Sequence, residues 1–567
     1  MQLPCRSLQY PKCNTMKKMF LLSGILVLLA TSLLAQHTVG LITYQPAQTF
    51  AGYNLIYPHN QSNVYLLDNC GEIVHRWDDA PNWRPGNTAD LLPDGRLVKT
   101  KRPAAVANNP IWAGGGGAIV EIRDWDNTLL WSFERNNAQE RLHHDIAVTP
   151  EGTILMIVWE EKSAAEAIAA GRSPFLLPQD KLWPDKIIEV DPATDEIVWE
   201  WHVWDHLVQD IDPTVANYGV VADQPGRINV NYDTSDGVPD WLHTNAIDYD
   251  PLNDQVMISV PTFNEIWIID HTTTTAQAAS NSGGLGNRGG DLLYRWGNPA
   301  AYNQGTAADQ KLFYQHDSHW IDDLLPINHP YYGKVAVFNN RVGADFSTAN
   351  VFSPQFDMYD WAFPMTGNVW GPADFNLTIT HPEPTRMYST GLSSIQFLPN
   401  GNSLILNGRT GYAFELTPNQ EIVWEYVIPL RGGQPVAQGE ILNENDNLAF
   451  RLHRYPTDYG AFTGRELLSQ GWLELEPDSS FCDLILPTND LMADYGLQVY
   501  PNPSHGNLTV EWEVGMHIEL TFVDVLGRTV YRSHPSGGRC YLSTEGWQPG
   551  LYWVRINGVS VQKLVVL

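Results

Sequence analysis

The chain reads as short apolar runs broken by turn residues, with the period of two that strands require and little sustained period near 3.6. One unit recurs, in which a strand ends on an acidic residue, a turn follows, and a second strand ends on Trp. It is read at Val64–Trp77, Ile119–Trp131, Ile188–Trp199, Ile266–Asp270 leading to Leu292–Trp296, and Ala413–Trp424. A second unit is built on Pro-Asp-Gly, Pro-Glu-Gly or Pro-Asn-Gly, at Leu91–Val98, Val148–Leu155 and Phe397–Leu404. Pro presets the first corner and Gly supplies positive φ, so each is a tight hairpin. Two hairpins make a four-stranded sheet. Their repetition at irregular, blade-like spacing predicts an all-β fold, a β-propeller of about six blades. The irregular stretches Ser163–Trp183, with a short Ala-rich helical piece, and Gln209–Asp240 are predicted to cover one face as binding loops.

The pattern changes near Ser479. From Tyr500 the chain runs Tyr-Pro-Asn-Pro-Ser-His-Gly, then Val523-Asp-Val-Leu-Gly-Arg528, Gly550-Leu-Tyr552 and Lys563-Leu-Val-Val-Leu567. These are alternating strands joined by Gly and Pro turns, which predict a small C-terminal β-sandwich. At the other end, Lys17-Lys18, an apolar run over Met19–Leu34 and a small residue at Ala35 read as an export leader. An uncleaved anchor is the alternative, disfavoured because the run falls short of the ~20 residues of a span. Met16 reads as the initiator. The predicted boundaries are a leader over 1–35 with 1–15 as an upstream extension, a propeller over 36–478, a linker over 479–495 and a sandwich over 496–567.

Length supports this division, since 567 residues exceed one ordinary compact domain. Charge narrows the partners: with 64 acidic against 34 basic residues the net charge is −30, which repels nucleic acid. Any anionic substrate must then be drawn in by a local cationic pocket. Behind the leader, Cys70, Cys482 and Cys540 cannot form a disulfide framework, and no pair has metal-ligand spacing. They are expected as buried or free thiols, with Cys482–Cys540 as the alternative pairing.

Four histidine clusters carry the candidate chemistry: Leu142-His-His-Asp145, Trp241-Leu-His-Thr-Asn245, Tyr314-Gln-His-Asp-Ser-His-Trp320 and Trp201-His-Val-Trp-Asp-His206. In the first three a His stands at the start of a strand, where a propeller turns side chains toward its channel. His202 and His206 read as a packed surface lid, and Asp145 and Asp317 as groups that orient neighbouring imidazoles or cap turns. Zinc lacks the ligand spacing it needs, so no metal is expected.

Three of these blocks, in order, resemble the arylsulfotransferase family. Trp241–Asp250 with Val256–Ser259 is similar to its Asp-Trp-x-His-x-Asn-Ser-x-x-Tyr-Asp…Ser-Ser block. Gln315-His316 followed by Val335–Asn340 is similar to its Gln-His…Phe-Asp-Asn block, and His143-His-Asp145 to its early His-x-Asp element. The resemblance spans about Val64 to Tyr459. It implies transfer of a sulfuryl group from an aryl sulfate to a phenol acceptor, with His316 as nucleophile. His144 (or His143), His243 and Asn245 are implied to grip the sulfuryl oxygens; Arg341 and His319, the latter outside both blocks, are added as candidate substrate contacts. No nucleotide donor, cofactor or metal is implied. One position departs: Pro261 stands where the family usually has an Arg, leaving Arg341, Arg409 or Arg295 as possible replacements.

The C-terminal order of motifs resembles the sorting domain of type IX secretion substrates. That implies passage through the periplasm and outer membrane by the secretion machinery, then release or surface attachment. A carbohydrate-binding sandwich is the lesser alternative. Two other functions stay open: a non-catalytic binding or adhesion propeller, favoured by Pro261, and a quinoprotein-like dehydrogenase. The latter is disfavoured by the lack of a vicinal Cys pair and of a Ca²⁺ carboxylate cluster. Oligomeric state is not legible.

Overall fold

A computed structural model describes residues 37–105, 110–321, 324–477, 482, 498–512, 518–524, 528–556 and 559–567. The expected leader lies outside the described residues, as does the expected linker apart from Cys482. The chain divides into two compact units at Pro477/Asp478. Among the described residues no helix is long and apolar enough to cross a membrane.

The first unit is all-β, with six antiparallel sheets of four or five strands among its described residues. Sheet 2 holds Trp83–Leu91, Leu97–Pro103, Ile119–Arg123 and Leu129–Glu134; sheet 3 holds Glu140–Val148, Ile154–Glu160, Asp185–Asp191 and Glu196–His202. Sheet 4 holds Ala246–Asp250, Gln255–Val260, Glu265–Asp270 and Tyr294–Trp296; sheet 5 holds His316–Trp320, Val335–Asn339, Thr348–Phe352 and Leu377–Ile379. Sheets 1 and 6 join the two ends of the unit. In sheet 1, Gly52–Pro58, Val64–Leu67 and Ile73–Trp77 are preceded in space by Ala449–Pro456, with Gly52 opposite Pro456. Sheet 6 holds Ser394–Phe397, Ser403–Asn407, Tyr412–Leu416 and Ile422–Val427, and Gly40–Tyr44 pairs along its outer edge.

The middle strands, such as Ile154–Glu160, Gln255–Val260 and Val335–Asn339, are buried on both faces, which is why they read as nearly continuous apolar runs. In Ile154–Glu160, Ile154, Met156 and Val158 pack with Val98, Val120 and Ile122 of sheet 2. Leu155 and Ile157, on the other face, pack with Val256, Ile258 and Trp267 of sheet 4. Alternation by two thus distributes one strand between two cores. Similar apolar clusters join sheets 4 and 5 and sheets 5 and 6.

The recurring Trp has a physical role. Trp77 donates its indole N–H to the Asp124 carbonyl (3.2 Å), Trp131 to the Asp195 carboxylate (2.6 Å) and Trp199 to the Thr273 hydroxyl (3.2 Å). Trp296 donates to the Pro372 carbonyl (2.7 Å) and Trp424 to the Asn69 carbonyl (2.8 Å). In each case the ring packs at its own sheet while the N–H clasps the next one, the two-ended behaviour that suits Trp to such positions. Trp424 clasps sheet 6 to sheet 1.

Arg451, on the strand shared by the two ends, is the centre of an ionic network. It donates to Asp145 of sheet 3 (2.7 Å), to Asp317 of sheet 5 (2.8 Å) and to the Thr88 hydroxyl of sheet 2 (3.3 Å). The two carboxylates in turn accept from backbone N–H groups of the following sheets, Asp145 from Ile247 (3.3 Å) and Asp317 from Ile395 (2.8 Å). All six sheets therefore meet through one guanidinium. A second buried pair, Arg454 with Glu415, joins sheets 1 and 6.

The smaller unit contains two further antiparallel sheets, Gln498–Tyr500/Asn507–Glu511/Arg539–Ser543 and Thr529–Ser533/Leu520–Asp524/Gly550–Ile556/Val559–Val566. One apolar cluster, including Val499, Leu508, Val510, Phe522, Val554 and Leu564, draws on both. The thiol expectation is corrected for two cysteines: Cys70 and Cys482 are each disulfide-bonded, whereas Cys540 is free, so the Cys482–Cys540 pairing is absent.

Two substitutions test these joints. Arg451→Met leaves two buried carboxylates without their cation and should cost about 3–5 kcal/mol of stability in urea denaturation. A loss below ~1 kcal/mol would remove the guanidinium from its central role. Trp424→Phe keeps the ring and loses the clasp, for an expected loss of about 1 kcal/mol by the same measurement.

Candidate active site

His144, His243 and His316 sit at local breaks in the strand pattern. The pairing of Glu140–Val148 shifts register opposite Met156/Val158, and His144 has φ +52°. The pairing of His316–Trp320 shifts between His316 and His319, with Asp317 at φ +55°, and His243 has φ +55° just before its strand. Left-handed backbone is unfavourable for residues other than Gly and is held where surrounding contacts over-determine it. Here the result is that neighbouring residues diverge: Asp145 and Asp317 bind Arg451, while His144 and His316 join the histidine cluster. The carboxylates turn away from His144 and His316, and of the neighbouring imidazoles among the described residues only His319 lies against one of them, 3.7 Å from Asp317.

His144 and His243 meet edge to face with ring centroids 4.6 Å apart, and His243 stacks near Tyr314 at 5.9 Å. Tyr314 in turn lies 5.9 Å from the His316 ring. His144 and His316 flank Phe450 at 6.3 and 6.5 Å. A cavity of about 490 Å³ opens against His243, Tyr314, Arg341, Asp240 and Pro261. His144 and His316 stand one side chain in from that wall. Gly115 is required here: a Cβ on it would lie 2.0 Å from Nε2 of His144, and its φ is +79°.

The rings are held by groups to which the sequence assigned no role. His243 Nδ1 lies 2.5 Å from the Asp240 carboxylate, whose other oxygen accepts from the Trp159 indole at 2.9 Å. Burial opposes protonation of His243, but Asp240 outweighs it, and the pKa stands above the ordinary imidazole value. His316 is held oppositely. Its Nδ1 lies 2.8 Å from Oδ1 of Asn340, whose amide N–H groups are committed to the carbonyls of Ser389 (3.1 Å) and Leu392 (3.0 Å). Asn340 can therefore only accept from His316, which puts the proton on Nδ1 and the lone pair on Nε2. Burial, with the nearby charges of His243 and Arg341, pushes the His316 pKa down to about 3 despite that hydrogen bond. His144 is likewise held well below the ordinary value by burial and by the neighbouring histidines.

The other candidates separate. His143 is buried flat against Trp159 with centroids 4.0 Å apart; its Nδ1 is 2.9 Å from that of His144 and its Nε2 is 3.2 Å from Asp185. It positions His144. Asn245 is fully buried and donates to the Gln315 carbonyl at 2.8 Å, so it fixes the backbone that leads into His316. His319 lines a second cavity with Asp317, Arg451 and His453, away from His243 and Arg341. His202 pairs with Glu160 and Glu200, and His206 is fully buried between Asp291 and the Ala278 carbonyl rather than in a surface lid.

Of the three arginines that could replace the cation missing at Pro261, Arg295 is sequestered, fully buried on Glu265. Arg341 shares the cavity wall with Pro261, its guanidinium 3.6 Å from the centre of the Tyr314 ring and its Nε donating to the Thr390 carbonyl at 3.0 Å. Arg409 approaches from sheet 6: a Cβ on Gly391 would be 3.4 Å from its Nη2 and 3.7 Å from Cε1 of His316. Among the described residues no group of three or more His, Cys, Asp or Glu could hold a metal ion.

No curated protein matches the chain. Solved structures match distantly: a protein of unknown function from Bacteroides caccae at 11% identity, covering 67% of this chain and 94% of that one, with a TM-score of 0.34. The periplasmic gluconolactonase of Pseudomonas aeruginosa matches at 11% identity over 71% of this chain and 99% of that one, with a TM-score of 0.34. The family model described as "Arylsulfotransferase (ASST)" matches residues 36–355, and one for a secretion system C-terminal sorting domain matches residues 498–567. The chain thus belongs to the arylsulfotransferase family and carries the type IX sorting domain of a protein exported to the cell surface or beyond.

Proposed function

We propose that the six sheets of the first unit, about residues 36–478, are the blades of a six-bladed β-propeller. The two sheets of the second, 496–567, form a β-sandwich behind a linker at 479–495, and a leader over 1–35 starts export. The first unit moves a sulfuryl group from an aryl sulfate to a phenol, without a nucleotide donor, through a sulfohistidine on His316. The observation that carries this reading is the division of protonation between two histidines: His316 neutral with its Nδ1 proton held by Asn340, and His243 favoured as imidazolium by Asp240.

In the first half-reaction, the Nε2 lone pair of His316 forms the N–S bond as the S–O bond to the aryl group breaks. The departing phenolate takes a proton from His243. In the second, the oxygen of an acceptor phenol forms a new S–O bond, the N–S bond breaks, and the phenol proton passes back to His243. Covalent catalysis divides one transfer into two, and His243 serves as acid and then as base. Arg341 supplies the positive charge that Pro261 lacks, across the same cavity wall. His144, held through Nδ1 by His143, sets its imidazole beside His243 at the sulfuryl site. His143 and Asn245 act by positioning.

Three outcomes are expected. Purified protein should release 4-nitrophenol from 4-nitrophenyl sulfate in the presence of phenol and carry a sulfuryl adduct of about 80 Da on the His316 peptide. His316→Ala should abolish both, and adduct-free turnover would discard the covalent step. With His316 neutral down to about pH 3, the rate should not fall between pH 7 and 5. It should decline only above the ordinary imidazole range, as His243 loses its proton, and His243→Gln should remove that limb. Asn340→Leu frees the Nδ1 proton; ¹⁵N spectra of the imidazole should show a mixed tautomer and kcat should fall about 10–100-fold. An unchanged tautomer would end the role given to Asn340.

A further inference from the structure

The rim of the site carries arginines that the transfer chemistry leaves unused. Arg102 and Arg141 both stack on Trp112, with guanidinium carbons 5.0 and 4.8 Å from the ring centre. Arg141 is 1% exposed, yet its Nε and Nη2 have no hydrogen-bond partner. Among the described residues its bonds run from Nη1, to the Ile111 carbonyl (3.3 Å) and the Asn136 side chain (3.0 Å). A buried polar atom without a partner calls for an explanation, and a buried cation more so.

Arg409 adds a second instance, its Nε buried without a partner and only its Nη1 engaged, on Asn445 at 2.9 Å. His59, between Arg102 and Arg409, feels the positive charge of both, and its own Nε2 is buried and unpartnered. Among the described residues none of Arg102, Arg141 and Arg409 forms an ion pair with a carboxylate. This holds in a protein with 64 acidic residues against 34 basic ones, where an arginine readily finds an acid. Three cations are thus kept unneutralised along one arc.

The arc adjoins the histidines. A Cβ on Gly116 would lie 2.7 Å from Trp112 and one on Gly115 2.0 Å from His144, so these two rings stand on either side of one peptide. At the other end Gly391 separates Arg409 from His316. With only the width of Gly391 between them, Arg409 stands within reach of the far end of a substrate whose sulfur lies at His316.

We propose that this arc binds a second anionic group on the substrate, a carboxylate, so that the preferred donors and acceptors are phenolic acids and their sulfates. The proposal rests on the sulfotransfer reading for the position of the sulfur. A planar carboxylate matches the guanidinium fork, and an aromatic acid also offers a ring to Trp112. The same arc counters the negative field of the molecule, which otherwise repels such substrates.

Binding and turnover are measured separately. By calorimetry, 4-hydroxybenzoate should bind the full-length protein about tenfold more tightly than its neutral isostere 4-hydroxybenzamide at low salt, with the preference shrinking severalfold at 0.5 M NaCl. Arg102→Gln, at a half-buried site, should abolish the preference with its melting temperature retained; if that variant is unstable, Arg409→Gln should reduce it. In turnover, the ratio of kcat/KM for 4-sulfooxybenzoate to that for 4-nitrophenyl sulfate should fall about tenfold in the variant. Dissociation constants for acid and amide within twofold of each other, or binding of neither, would overturn the proposal. A tenfold preference without any sulfuryl transfer would retain the anion site and remove the transferase reading instead.

Discussion

Arg451 holds two buried carboxylates on different sheets, and each carboxylate holds the backbone of the sheet beyond it. Burial works against all three charges. For Arg451 the attraction of Asp145 and Asp317 outweighs it and drives the pKa further up, whereas Asp145 remains above the usual carboxylate range. Such a network is stable only when complete. Because His144 and His316 immediately precede these two aspartates, the constraint that joins the sheets also places the histidines. Fold and site share one set of bonds.

The histidines acquire different characters from their partners alone. Asp240 adds a full negative charge beside His243, whereas Asn340 offers His316 a neutral acceptor of similar reach. A carboxylate at 340 would make His316 a cation and remove its lone pair; an amide at 240 would deprive His243 of its counter-charge. The pair follows a general pattern in which the environment drives like groups to opposite protonation states. Pro261 shows the same economy at the cavity wall, where the positive charge stands on Arg341 of a neighbouring sheet.

Much of this was legible in the chain. Period-two alternation and Pro-x-Gly turns are local signals, and they mark the strands of sheets 2, 3 and 6 correctly. Sheet 5 was harder, because its outer strands are separated by residues 353–376 and carry no terminal Trp. The pairings of Ala449–Pro456 with Gly52–Pro58 and of Gly40–Tyr44 with Ile422–Val427 leave no local trace, since a long-range register depends on the whole ring of contacts. At the site, ordered motifs point to the histidines. Their partners Asp185, Asp240, Asn340 and Arg451 act only through tertiary contact. Adjacency in sequence ties Asp145 and Asp317 to the imidazoles before them; the left-handed backbone at His144 and at Asp317 turns each pair of side chains apart.

The strand Ala449–Pro456 is among the last parts of its unit to leave the ribosome, yet it completes the first sheet and brings Arg451 to the junction of all six. Until it arrives, Asp145 and Asp317 lack their cation and the edge of Gly52–Pro58 is unpaired. A nascent or truncated chain therefore holds nearly every residue of the site without the bonds that arrange it.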